Sequence, residues 1–155
     1  MKRKRITGVL AVLMLLAFGC GSDKSEDPEP QFGSVEVRMS YFYNDFQGYK
    51  PDTGADIYLF KETGKKFIND WIDYRIGTLR VEGTEEKVKY DFAAEADVSG
   101  VAKIENVPYG KYILVAASKG RFTYSKKSIE INSVSQSHVK NFGYRSEFSD
   151  IGEVW

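Results

Sequence analysis

Apolar and polar residues alternate along most of the chain from Gly33 onward, the period of two expected of strands with one buried face and one wet face. Val35, Val37, Met39 and Tyr41 share one face while Glu36, Arg38 and Ser40 share the other, and the same rhythm places Tyr43 on the buried side. Gly48, Pro51 and Gly54 interrupt the pattern, so residues 44–54 read as a loop before a second strand over 55–60 with Ile57 and Leu59 inward. Alternation returns over 78–81 and again over 87–92, where Val88, Tyr90 and Phe92 oppose Lys87, Lys89 and Asp91. Further strands are expected over 101–105, 111–117, 123–131 and 136–142. One stretch departs from the rule. Phe67, Ile68, Trp71 and Ile72 fall at helical spacing, which favours a short helix within 65–75. Short strands at this spacing predict an all-β domain, a sandwich or a barrel, with a short helix favoured slightly over a strand within 65–75.

The first residues follow a different logic. Lys2, Arg3, Lys4 and Arg5 precede an uncharged apolar run from Val9 to Phe18, too short to span a bilayer, which wants about 20 apolar residues. Leu16-Ala17-Phe18-Gly19-Cys20 resembles the lipobox of bacterial lipoproteins, although leucine is commonest three places before the cysteine and here that place is Ala17. The resemblance implies a signal peptide over 1–19, cleaved before a lipid-modified Cys20, and anchoring at a membrane without spanning it. Residues 21–30 hold no apolar side chain and two prolines, so 20–32 reads as an acidic, flexible tether ahead of a single domain over 33–155. Acidic stretches placed after such a cysteine resemble an export signal toward the outer face of the outer membrane, and a plain solvated spacer fits equally well. The expected location is therefore the outer membrane, with the exposed face left open.

Processing also changes the charge. The whole chain balances 22 basic against 22 acidic residues, and loss of the four N-terminal cations leaves 18 against 22. No basic cluster remains to neutralise phosphates, which argues against a nucleic-acid partner. With one cysteine in the chain no intramolecular disulfide can form, so stability must come from the core, to which ten Phe, ten Tyr and two Trp contribute.

In the body, Asp52-Thr53-Gly54-Ala55-Asp56-Ile57-Tyr58-Leu59-Phe60 is followed by Ser99-Gly100-Val101-Ala102-Lys103-Ile104-Glu105-Asn106-Val107-Pro108-Tyr109-Gly110-Lys111-Tyr112-Ile113-Leu114-Val115. Together these resemble the transthyretin-like β-sandwich of carboxypeptidase regulatory-like and Cna B-type domains over roughly Gly33 to Phe142, which implies a Greek-key sandwich of about seven to nine strands. In this reading Gly100 turns the chain into a strand, 107–110 makes a tight corner, and Tyr112 and Leu114 return to the core. Residues 61–97 are longer than the family places between the two blocks, so extra strands or a decorated loop are expected there. Some Cna B-type domains join a lysine of the first strand to an asparagine of the last. Asn141 could accept such a bond, but Arg38 stands where the lysine would be wanted, so none is expected.

Candidate chemistry is thin. The lone histidine, His138, lies on a late strand and reads as a surface residue rather than a base. Ser137 and Lys140 match a Ser-x-x-Lys spacing that belongs on a helix of a much larger domain. Asp45, Asp52 and Asp56 could offer oxygens to calcium, yet they lack the spacing of a calcium loop and read as turn formers. No metal, cofactor or catalytic group is expected, and the chain does not read as an enzyme. The aromatic run Tyr41, Phe42, Tyr43, Phe46 and Tyr49 is more suggestive. With Tyr41 and Tyr43 buried, Phe42, Phe46 and Tyr49 remain either to cap the sandwich or to bind a glycan or protein ligand. Trp71, Tyr74 and Trp155 face the same two readings. The expected role is a lipid-anchored, non-catalytic binding or adhesion module; the alternative is a structural component of an envelope assembly that offers a sheet edge by strand addition.

Overall fold

The structure is a computed structural model, and residues 31–68, 76–143, 153 and 155 are described. The signal peptide, Cys20 and most of the tether therefore lie outside the described residues, as do Trp71 and Tyr74. Among the described residues ten strands follow in order: β1 (Phe32–Asn44), β2 (Gly48–Pro51), β3 (Asp56–Lys61), β4 (Thr78–Arg80), β5 (Lys87–Lys89), β6 (Phe92–Glu95), β7 (Val101–Pro108), β8 (Gly110–Ala117), β9 (Tyr124–Ile131) and β10 (Ser135–Phe142). Two four-stranded sheets form the sandwich. In the first, β1 lies between β10 on one side and both β2 and β7 on the other; in the second the order is β6-β3-β8-β9. β1 runs parallel to β10 along its length, from Ser34 beside Ser135 to Tyr41 beside Phe142, so strands from opposite ends of the described domain are neighbours.

The expected all-β sandwich is the fold observed, with more strands than the resemblance implies. The core follows the alternation: Val35, Val37 and Met39 from β1 meet Ile57, Leu59, Leu114 and Ala116 from the other sheet, all fully buried. No helix occurs among the described residues. Within the stretch expected to be helical, Phe67 instead forms an antiparallel bridge with Val81, and residues 69–75 are outside the described set.

The long stretch 61–97 has a defined job. β4 and β5 pair as a separate hairpin, and Leu79 from it lies over the outer face of the second sheet. There it buries a second cluster of Tyr58, Phe60, Val115, Ala117 and Tyr124, with Phe67, Val88 and Tyr90 around the margin. The central strands β3 and β8 are thereby covered on both faces, which is why 57–60 is a continuous apolar run rather than an alternating one. The segment 87–92, expected as one strand, divides at Tyr90 and Asp91. Asp91 donates its amide to the Leu59 carbonyl and accepts the Lys61 amide on Oδ2 at 2.6 Å, which sends β5 to the covering hairpin and β6 to the sandwich edge. The expected corner at 107–110 is present between β7 and β8, and the Tyr112 hydroxyl donates back to the Pro108 carbonyl at 2.9 Å.

Candidate functional site

At the end of the sandwich where β1 finishes, the chain turns back as a hairpin. Residues 44–54, expected as a loop, contain the short edge strand β2, which pairs antiparallel with β1 and sets Phe42 opposite Tyr49. Pro51 is tolerated because it ends an edge strand, where no further ladder bond is needed from its nitrogen. The tip is shaped by Asn44, whose Oδ1 accepts the amides of Phe46 at 3.0 Å and Gln47 at 2.8 Å, a local side-chain turn that frees the tip from other support.

The three aromatics singled out in the sequence are not equivalent here. Phe42 and Tyr49 meet edge to face, with ring centroids 5.6 Å apart at 76°. Phe46 stands apart at the tip and is 99% exposed. Tyr43, expected to be buried, is 45% exposed, because β1 extends past the end of the opposing sheet and its inner face there has nothing to pack on. Its ring is instead covered by the Lys50 ammonium, 3.5 Å from the centroid. Tyr41 is half-buried against the core and meets Tyr43 edge-on at 6.4 Å. Phe42, Tyr43, Asn44 and Asp45 line an open concavity of about 390 Å³, at the small end of the range for ligand sites.

What fixes this end in place is a set of residues that the sequence pattern did not reveal. Asp52 is 1% exposed, and its carboxylate accepts the Ser118 hydroxyl and, at 2.9 Å, the Gly120 amide. Ser118 Oγ in turn accepts the Arg121 amide at 3.0 Å. The Arg121 guanidinium then donates through Nη2 to the Phe42 carbonyl, and its carbon lies 5.9 Å from the Tyr41 ring centre. The turn 118–123 is thus bound to the aromatic hairpin through one buried carboxylate. A Cβ at Gly120 would fall 2.5 Å from the Tyr41 ring, so only glycine permits this approach. Phe122, in the same turn, is held at φ 51° while 51% exposed, a conformation that bulky residues rarely adopt.

The remaining candidates separate. The three aspartates do not converge: Asp45 is at the tip, Asp52 is the buried clamp, and Asp56 faces Lys119 at 3.4 Å. No group of three or more metal-capable side chains occurs among the described residues. Asp97 organises the turn before β7, and bonds from the Ser99 hydroxyl and the Val101 and Ser99 amides hold its carboxyl below the usual carboxylate value. Ser137 is exposed on the outer face of β10 while Lys140 is buried on the inner one, so that pair cannot act together. His138 is half-buried rather than on the open surface. Arg38 lies beside Val139, and Asn141 beside Ser40, whose hydroxyl donates to Asn141 Oδ1 at 2.7 Å.

No family model matches the chain, and no curated protein matches it either. Among solved structures it is similar to the minor pilin of Streptococcus agalactiae, at 13% identity and a TM-score of 0.44, over 77% of this chain and 48% of that one. A proposed carbohydrate-binding protein of Pseudomonas aeruginosa aligns over 72% of this chain and 89% of its own length, at 13% identity and a TM-score of 0.44. The major pilin SpaD of Corynebacterium diphtheriae aligns over 73% of this chain and 32% of that one, at 15% identity and a TM-score of 0.45. The chain thus spans about half of the first of these structures and a third of the last. Similarity at this level concerns the shape of the sandwich and says nothing of a ligand.

Proposed function

We propose that the chain is a lipid-anchored protein of a bacterial envelope whose sandwich presents a non-catalytic binding site for a glycan on its aromatic hairpin. The observation that carries the reading is Phe46, wholly exposed at the tip of a hairpin whose neighbouring rings are held by a buried network. Tyr43, Phe46 and Tyr49 are all exposed on one hairpin, and apolar surface grouped in this way marks an interaction site where a single exposed ring would not. Asp45 and the rings of Phe42 and Tyr43 line the adjoining concavity, which joins a hydroxyl-accepting carboxylate to apolar faces, the two features that a sugar ring presents in complement. A single carboxylate lines it, whereas glycoside hydrolysis uses a pair, and this supports binding without cleavage.

The hairpin tip lies at the far end of the 13-residue β1 from Phe32, where the proposed tether ends, so the rings stand at the opposite end of that strand from the point at which the tether joins it. The test is a glycan array probed with the wild type and with the Phe46→Ala, Tyr49→Ala double variant. The reading expects a defined set of sugars to be bound by the wild type and lost by the variant, with the variant still folded: Phe46 makes no buried contact, and loss of the Tyr49 ring from Phe42 costs only about 0.5–1.5 kcal/mol. Equal binding by both proteins would refute the site. Protease shaving of intact and permeabilised cells tests location separately: loss of the domain from intact cells supports display on the outer face, and protection until permeabilisation places it inside.

A further inference from the structure

The ring pair of the hairpin stands at one end of a row of side chains that runs the length of the first sheet. Val35, Val37 and Met39 turn inward to the core, so by alternation Ser34, Glu36, Arg38, Ser40 and Phe42 share the outer face. The strand register gives this row neighbours on the same face. Tyr49 lies beside Phe42; Asn141 and Pro51 flank Ser40; Val139 and Val101 flank Arg38; Ser137 and Lys103 flank Glu36. The outer face of the second sheet is covered by the β4–β5 hairpin, whereas here Arg38, Lys103, Ser135, Ser137, Val139 and Asn141 are all exposed. From Phe42 to Ser34 the strip is about 26 Å long at about 3.3 Å per residue, with an outward side chain of β1 at every second position.

Composition, charge and shape together define what fits this strip. The Ser40 hydroxyl donates to Asn141 Oδ1 at 2.7 Å, which leaves Asn141 Nδ2 as a donor, and Pro51, Val101 and Val139 add aliphatic surface beside Ser40 and Arg38. The charges cancel: Glu36 and Arg38 lie on β1, and Lys103 Nζ is 2.5 Å from Glu105 Oε1 on β7, so no net field selects an ion. The largest apolar side chains, Phe42 and Tyr49, are at the end of the strip, whereas the apolar part of a protein interface lies at its centre. We infer that the hairpin site takes a linear, uncharged polysaccharide, whose first sugars stack on the rings and whose following sugars lie along the outer face of the first sheet, an extension that rests on the glycan reading of the hairpin. Sugar hydroxyls both donate and accept, which suits the mixed set of Asn141, Arg38 and Glu36, and the C–H faces of the rings suit Val139 and Pro51. Each further sugar on the strip adds contacts without a second loss of translational freedom, so affinity rises with chain length until the strip is filled.

Titration calorimetry of the full chain with cellohexaose, xylohexaose and mannohexaose, each against its own disaccharide, tests the length dependence. At least one hexasaccharide is expected to bind roughly tenfold or more tighter than its disaccharide. Arg38→Ala with Asn141→Ala should remove that gain and leave the disaccharide affinity as it was, since both side chains are exposed and lie along the strip rather than on the hairpin. Phe46→Ala with Tyr49→Ala should weaken both lengths. Equal affinity for the two lengths, or a gain that survives the Arg38 and Asn141 substitutions, overturns the strip and leaves the ring site standing. Hexasaccharide binding that the ring variant does not weaken overturns the hairpin reading and the strip with it. Binding by none of the hexasaccharides, or a preference for polygalacturonate over all three, overturns the uncharged linear ligand. Should circular dichroism show the Arg38 and Asn141 variant unfolded, Arg38→Ala alone is measured, and a length gain that it leaves intact overturns the strip.

Discussion

Replacing Asp52 by alanine tests the clamp that binds the turn 118–123 to the aromatic hairpin. The carboxylate accepts two bonds in a nearly dry setting, from the Ser118 hydroxyl and the Gly120 amide. Hydrogen bonds to a charged acceptor contribute about 1.5–3 kcal/mol each, and a buried amide left without its acceptor costs about 1–3 kcal/mol. Against this, alanine no longer requires a charge to be desolvated, which offsets part of the loss. The expected net destabilisation of Asp52→Ala is about 3 kcal/mol. Asp52→Asn keeps the shape and one acceptor oxygen, and should cost about half as much. Ser118→Ala removes one bond to the carboxylate and the acceptor of the Arg121 amide, and is expected to fall near the asparagine variant. Urea unfolding followed by fluorescence supplies the three values, with an unchanged denaturant slope as the condition for comparing them. A double-mutant cycle of Asp52→Ala with Ser118→Ala should give a coupling of about 1 kcal/mol or more, since the two side chains share a bond. The reasoning fails if Asp52→Ala costs less than about 1 kcal/mol at constant slope, or if the two substitutions are additive.

Three further outcomes follow from other parts of the fold. Burial, and then the Lys127 charge, holds the His138 pKa below its ordinary value of 6.5; the Lys127 ammonium lies 3.0 Å from its Nδ1, with the Trp155 ring alongside. Its unfolded state therefore takes up the proton first, so the stability it contributes is complete above about pH 6.5 and is lost as pH falls through the folded value. His138→Gln should flatten the slope of unfolding free energy between pH 7.5 and 5.5, and an unchanged slope would assign it to other groups. Gly100→Ala should cost more than about 2 kcal/mol, since φ is +76° there and the new Cβ would sit 2.3 Å from the Met39 carbonyl oxygen; chemical denaturation measures it, and a near-neutral result would show that this turn relaxes freely. Leu79→Ala is expected to cost about 2–5 kcal/mol in the same assay if the β4–β5 hairpin is part of the cooperative fold, and under about 1 kcal/mol if it opens by itself.

The sandwich itself is largely legible in the sequence because period-two alternation is enforced wherever one strand face meets the core. Val35, Val37 and Met39 follow it without exception. The reading weakens where a second layer intervenes: Tyr58 and Phe60 oppose Ile57 and Leu59 on β3, yet all four are buried, because the covering hairpin comes from residues about 20 or more positions away. Alternation reports two faces and cannot report what lies above the outer one. It also cannot show where a strand outruns its partners, which is why Tyr43 was expected inside and is exposed. Gly48 and Pro51 hid β2, since breakers are allowed on a four-residue edge strand. Of the candidate site, the aromatic residue types were visible and their grouping was not. The clamp through Asp52, Ser118, Gly120 and Arg121 joins positions more than 60 residues apart, and a lone aspartate beside a glycine signals only a turn.

The course of β1 bears on how the domain carries load. Its 13 residues run without interruption from where the chain enters the sandwich to the base of the hairpin bearing Phe46. At about 3.3 Å per residue, roughly 40 Å of backbone is already extended, with irregular pairing only at Gly33–Val35 and Phe42–Asn44. Tension applied between residue 31 and the tip falls along this single covalent path. There is almost no slack to release, and neither sheet needs to be unzipped for the pull to be borne. β2, β7 and β10 flank this line on both sides and hold it extended, so the hairpin can be tugged hard while the sandwich around it stays folded.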